Sequence, residues 1–336
     1  MKVLSVGFSL SAFGRNELAF LRRIKTANPL HPGYGHVITL LSHFSMRTIF
    51  GRHTCFVMPL LAQPLNKGMA HSLPLSWKKR VIREIALGLT YLHDECGIIH
   101  ADITNISGIA LAKEAWIDFA VAEDPTKLSL VEQVTVHGQN MNVPVLANQP
   151  LSVPNPGYGG VCIVDFSSGS WKEGRHTGLI QNDATRAPEV ILDGSWDTPA
   201  DIWSFGHIVY ELVTGMDLIP FPPLNTANFD DKYMIASIHA LLGEYPQEFL
   251  GHCTRVAEFF DEQGMLLHTP MVITDTLAER LGPFFPGLAI EESLCLAFLS
   301  QLLQIDPSRR AQACDVLGHA WLAGAQGPHE TLKYPV

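Results

Sequence analysis

At 336 residues, 47% of them hydrophobic, the chain has enough material for one large domain or two modest ones around a sizeable core. Its net charge of −10 argues against a nucleic-acid binder held by phosphate contacts and favours a basic partner. Six scattered cysteines with no C-x-x-C pair exclude a disulfide framework or a close-set thiolate metal site, and no stretch approaches the ~18 consecutive apolar residues of a membrane span.

The chain opens MKVLSVGFSLSAFG. Lys2 ahead of an apolar run has the outline of a secretory leader, but Ser5, Ser9 and Ser11 dilute the run, no A-x-A follows, and the sequence continues directly into a helical pattern. The expected compartment is therefore cytoplasm or nucleus. Residues 3–6 read as a strand, and Leu18, Leu21 and Ile24 share one face of a helix over 16–25. HPGYGHVITLLSHF and HTCFVMPLL are two β-rich runs joined by a turn near Gly51. Residues 1–61 thus form a small sheet with one helix.

From residue 62 the texture becomes helical. Val81, Ile85, Leu89 and Leu92 recur at spacings of four, four and three, predicting a long amphipathic helix with Ser76 as N-cap and Gly97 as its stop. Residues 120–160 hold the Pro/Gly/Asn-rich run NVPVLANQPLSVPNPGYGG, which reads as an inserted loop. PADIWSFGHIVYELVTG, DDKYMIASIHALLG and EESLCLAFLSQLLQ follow as helices. The expected fold class is α+β, with a small β-rich lobe over 1–61 and a larger, mainly helical lobe over 62–336.

Four segments then fall in a telling order: His100-Ala101-Asp102 after a helix, Val164-Asp165-Phe166-Ser167 after an apolar strand, Arg186-Ala187-Pro188-Glu189 followed by DIWSFG, and Asp306-Pro307-Ser308-Arg309-Arg310. The series resembles the H-R-D, D-F-G and A-P-E marks of the eukaryotic protein kinases. LHDECGIIHADI, the insertion before the Asp-Phe pair, TRAPEVIL and HALLGEYPQEFL are similar to the SR-protein kinases, which phosphorylate Arg-Ser-rich splicing factors.

The resemblance implies a bilobal kinase fold, ATP and Mg2+ as cofactors, and Arg/Ser-rich proteins or other basic proteins as partners, with no direct nucleic acid and no membrane. It assigns Asp102 to the attacking hydroxyl, Asp165 to the metal, Lys2 with Glu17 to the phosphates, and Met58 and Leu60 to the hinge that receives adenine. Counting H-R-D-x-x-x-x-N from Asp102 puts the second metal ligand at Ser107, with Asn105 two positions early.

Several positions depart from the family pattern. The sequence contains no G-x-G-x-x-G, and if Lys2 is the phosphate lysine it begins after the glycine-rich strand pair. Thr104 stands where many serine/threonine kinases carry a lysine, and Ser107 replaces asparagine. Losing one preorganised group of this kind costs about 3–4 kcal/mol of transition-state stabilisation. Ala101 replaces arginine, and Ser167 brings a Cβ to a glycine position, where it is expected to hinder rearrangement. Three readings stay open: a kinase of weak activity, a pseudokinase that scaffolds partners, and an N-terminally truncated kinase fragment.

Overall fold

The computed structural model describes residues 1–59, 61–64, 73–103, 106–109, 130–135, 142–146, 160–220, 230–268 and 275–324, with backbone alone at 62–64, 106–109, 130–135 and 142–146. The small lobe is an antiparallel sheet of β1 (Lys2–Val3), β2 (Ser42–Thr48) and β3 (Gly51–Val57) in the order β1-β3-β2. β1 is shorter than the apolar run suggests. Ser5 stops it by capping α1 (Val6–Leu10), its hydroxyl accepting from the Phe8 N–H.

Ser11 repeats the device one helix later, its hydroxyl accepting from Gly14 N at 3.1 Å to open α2 (Ala12–Thr26). The elbow between the two helices is so tight that a Cβ on Gly14 would lie 2.2 Å from the Phe8 carbonyl oxygen. α2 then turns Phe20, Leu21 and Ile24 into the core together with Glu17, a face that also receives Phe56 of β3.

In the larger lobe, α3 (Leu75–Thr90) follows the predicted apolar spacing but begins at Pro74 rather than at Ser76, since a proline with its fixed φ supports a first turn without a side-chain cap. It runs into a π-helical turn, Tyr91–Cys96, and ends at left-handed Gly97. β5 (Ile98–Ile99) follows at once and pairs with β10 (Ser170–Trp171). A second sheet joins β4 (Leu61–Pro64), β6 (Ile106–Ile109) and β9 (Val161–Ile163) in the order β4-β6-β9. Between β6 and β9, the segment expected to be a loop carries an antiparallel pair, β7 (Leu130–Thr135) and β8 (Asn142–Leu146).

The helices α4 (Pro188–Ile191), α5 (Pro199–Thr214), α6 (Asp231–Leu242), α7 (Gln247–Leu250), α8 (Leu277–Leu281), α9 (Ala289–Leu302) and α10 (Ala313–Val316) complete the lobe. α5 is its axis. Nearly every side chain on it is buried, including Trp203, Phe205 and Tyr210, as expected of a helix apolar all round. Below it, Glu189 and Arg310 form a bidentate pair at 2.6 Å and 2.6 Å, fully buried, with the guanidinium 5.0 Å over the Trp203 ring. The geometry satisfies both charges, the condition under which a buried pair is tolerated at all.

His207, also on α5, sits against Trp203 with its Nε2 buried and without a partner among the described residues, and burial pushes its pKa down to about 3. In the unfolded chain the imidazole titrates near 6.5. Below that pH only the unfolded state takes up the proton, so this residue subtracts stability as the pH falls. The loss is about 1.4 kcal/mol at pH 5.5. Urea unfolding at pH 7.5 and 5.5 should therefore show a smaller pH-dependent loss for His207→Leu than for the wild type, and equal losses would rule out a neutral buried imidazole.

Candidate active site

The cleft between the lobes collects charged groups from four elements. Lys2 arrives on β1, which is held by the Lys2↔Phe56 register with β3 and by the Leu4 N–H donating to Thr54 O at 2.9 Å. Its Nζ lies 2.5 Å from Glu17 Oε1 and 2.8 Å from Asp165 Oδ1. Burial alone would lower the lysine, but its hydrogen bonds to Asp165 and Glu17 outweigh that and hold it above its ordinary value. Glu17 is only 2% exposed, and burial raises its carboxyl even against the lysine's charge. Asp165 is 48% exposed, and there the ammonium wins: desolvation opposes, yet the Lys2 hydrogen bond and charge hold its carboxyl below the usual range.

Asp102 stands on a loop held from beneath. Asp201, fully buried on α5, accepts from the His100 N–H and the Ala101 N–H at 2.8 Å each, and from His93 Nε2 at 2.8 Å. The clamp fixes Ala101 in the left-handed region at φ 64°. The Asp102 N–H donates to His100 Nδ1 at 3.3 Å, which leaves His100 Nε2 to donate to Val164 O at 2.9 Å and so tie the loop to the residue before Asp165. Phe166, fully buried, packs on the His100 ring at 5.0 Å between centroids. One oxygen of Asp102 is buried with no partner among the described residues. Burial, helped by the nearby Asp165 charge and opposed by His100, raises its carboxyl.

Lys2, Glu17 and Asp165 thus meet directly, with Asp102 near enough to feel the Asp165 charge. Met58 follows β3 and packs half-buried against the core, whereas Leu60, Thr104 and Asn105 lie outside the described residues. Ser107 lies in β6, where its backbone pairs with Cys162, three residues before Asp165. In this arrangement the left-handed conformation falls on Asp165, at φ 68°, and Ser167 is not among the positive-φ residues.

Gln181 gave no signal in the sequence. Its N–H donates to Ala101 O at 3.0 Å, its side-chain amide donates to Ala200 O at 2.8 Å and Ser204 Oγ at 3.0 Å, and its carbonyl accepts from the Ala187 N–H at 2.9 Å. It pins the segment after β10 to both the Asp102 loop and α5.

A partly buried lysine–glutamate pair between sheet and helix, a carboxylate after the β9 strand, and a clamped loop carrying a second carboxylate together define a protein kinase. The protein kinase domain family model matches residues 157–322. The chain is also similar, at 19% identity and a TM-score of 0.61 over 92% of its length and 83% of the other chain, to the crystal structure of another kinase domain. Over 96% of its length it is 30% identical to the serine/threonine-protein kinase SRPK of Physarum polycephalum, covering 79% of that protein. It is 25% identical to the protein kinase dsk1 of Schizosaccharomyces pombe over 93% of its length and 73% of that protein. The chain belongs to the SRPK family of serine/threonine-protein kinases, whose activity implies the use of ATP and a divalent metal.

The clamp predicts its own cost of removal. Asp201→Ala leaves two loop N–H groups and His93 without their charged acceptor, and should lower unfolding free energy by about 3 kcal/mol, read as a shift of the urea midpoint at unchanged slope. A loss below about 1 kcal/mol would mean that the loop is held by other contacts.

Proposed function

We infer that this chain is an ATP- and Mg2+-dependent serine/threonine kinase of low turnover acting on Arg/Ser-rich proteins. The observation that carries the reading is the Lys2–Glu17–Asp165 network near the Asp102 carboxylate, one oxygen of which has no partner among the described residues. Phosphoryl transfer asks a protein for positioning and charge more than for covalent chemistry. In this reading Lys2, steadied by Glu17, grips phosphate oxygens, and Asp102 orients the substrate hydroxyl and accepts its proton.

The site suits a hard cation, since the donors that Asp165 and Asp102 offer are carboxylate oxygens. That fits Mg2+, which takes one or two carboxylates and leaves its other positions to phosphate and water. When bound, the ion neutralises charge on the phosphates. Asp165 would hold it, with Ser107, in the strand paired with β9, as the second ligand by its count from Asp102.

The departures at the site are Thr104 in place of lysine and Ser107 in place of asparagine. Each missing preorganised group corresponds to about 10²–10³ in rate, and the two together describe a slow enzyme. The substrate class rests on the net charge of −10, which suits a cationic protein, and on relatives such as the SRSF protein kinase 3 of mouse, 33% identical over 52% of this chain and 30% of that protein.

The thermal midpoint of the purified chain should rise on addition of ATP with Mg2+, and the rise should vanish in Asp165→Ala. Ser107→Ala should weaken the Mg2+ dependence of that rise while Asn105→Ala leaves it intact. The reverse pattern would move the ligand to Asn105. No rise at saturating ATP would end the nucleotide reading and leave a pseudokinase that binds partners.

A further inference from the structure

The charge of this protein is divided unevenly. Residues 1–60 carry seven lysines and arginines against a single carboxylate, Glu17, for a net +6 in a chain that totals −10, so the remaining residues hold −16. Glu17 is buried and spent on Lys2. The outer surface of the small lobe therefore presents cations with no acidic residue among them.

Two of these cations are placed against each other. Arg47 and Arg52 are direct partners across the β2–β3 hairpin, both are exposed, and neither forms an ion pair with any described residue. Side chains directly opposite in an antiparallel pair stand about 5 Å apart at Cβ, and like charges there are destabilising. The turn between them, RTIFGR, exposes Ile49 (82%) and Phe50 (41%).

The period of two along each strand puts Arg47 and His43 on one face, together with Arg52 and Phe56. α2 covers that face at its root, where Phe56 joins the core and Arg22 donates to His43 Nε2 at 2.9 Å. Lys25 of α2 also meets no carboxylate, its Nζ donating to Leu41 O at 3.3 Å. The result is a basic surface from Arg22 and Lys25 out to Arg47 and Arg52, tipped by two apolar side chains.

We propose that this hairpin and the adjoining face of α2 dock an acidic protein segment carrying an apolar anchor residue. Four unneutralised cations supply the charge complement, and Ile49 and Phe50 supply apolar contact area that phosphate binding would not use. Arg47 and Arg52 lie four residues along their strands from the His43↔Phe56 pair, toward the hairpin turn, and occupancy of this surface does not require nucleotide.

The test is fluorescence anisotropy of a labelled peptide of about 15 residues in which Asp and Glu surround one Phe and one Leu, titrated with the full chain at low salt. Binding is expected, with affinity falling as salt is raised and falling at least about tenfold in the Arg47→Glu/Arg52→Glu double variant. Ile49→Ser should weaken it without changing the salt dependence. Arg47→Gln/Arg52→Gln serves as the folding control: it relieves the like-charge contact, so its thermal midpoint should equal or exceed that of the wild type while peptide affinity drops.

Equal affinity in the charge-reversed variant overturns the assignment, and so does equal binding of a peptide with Lys in place of Asp and Glu. A labelled oligouridine bound more tightly than the peptide, and lost in the same variant, would overturn it in favour of nucleic acid. Self-association in sedimentation that disappears with charge reversal would overturn it in favour of the acidic large lobe of a second copy.

Discussion

Everything in the cleft is referred to one buried carboxylate. Asp201 sits on α5, the helix with the fewest exposed side chains, and reaches up to hold the backbone N–H groups of His100 and Ala101. An ionised acceptor in so dry a place is stable only because three donors converge on it, His93 being the third. The loop cannot relax into a commoner backbone conformation without breaking that convergence, which accounts for an alanine at φ 64° where glycine would be easier. From there the constraint propagates. His100 holds Val164, Val164 precedes Asp165, and Phe166 fills the space against the His100 ring.

Gln181 extends the same constraint to the segment after β10. Ala101 offers no side chain to recruit a charged group there, and the loop is instead linked backbone to backbone, through the Gln181 N–H and the Ala101 carbonyl. The remaining polar atoms of Gln181 are satisfied by Ala200, Ser204 and Ala187. A neutral amide with every group paired needs no modification to stay in place, so the arrangement is built into the unmodified chain.

The sequence made the larger features legible because they rest on periodicity and local order. Val81, Ile85 and Leu89 recur at the helix period, and the two acidic segments at 102 and 165 announce themselves through flanking apolar runs. What it concealed depends on partners far away in the chain. The position of Ser107 can be counted from Asp102, but its pairing with Cys162 cannot, since a register is a property of two strands rather than of one. The apolar stretch at residues 3–6 reads as one strand, yet the Ser5 hydroxyl splits it by capping α1. Gln181 has no local signature, since its role is created by four backbone and side-chain groups from three other places in the fold.

The two bonds of Lys2 differ in strength for the same reason that its partners differ in exposure. Glu17 is almost fully buried, and breaking its bond would strand a carboxylate in the core, a change that costs several kcal/mol. Asp165 is half exposed, and a pair of that kind contributes only about 0–1 kcal/mol. Lys2 is therefore anchored to α2 and only loosely tied to Asp165. A divalent cation competing for the Asp165 carboxylate would displace a weak bond, and the freed ammonium would stay held by Glu17. Burial at residue 17 and exposure at residue 165 thus give one lysine a firm anchor and a second partner that it can release.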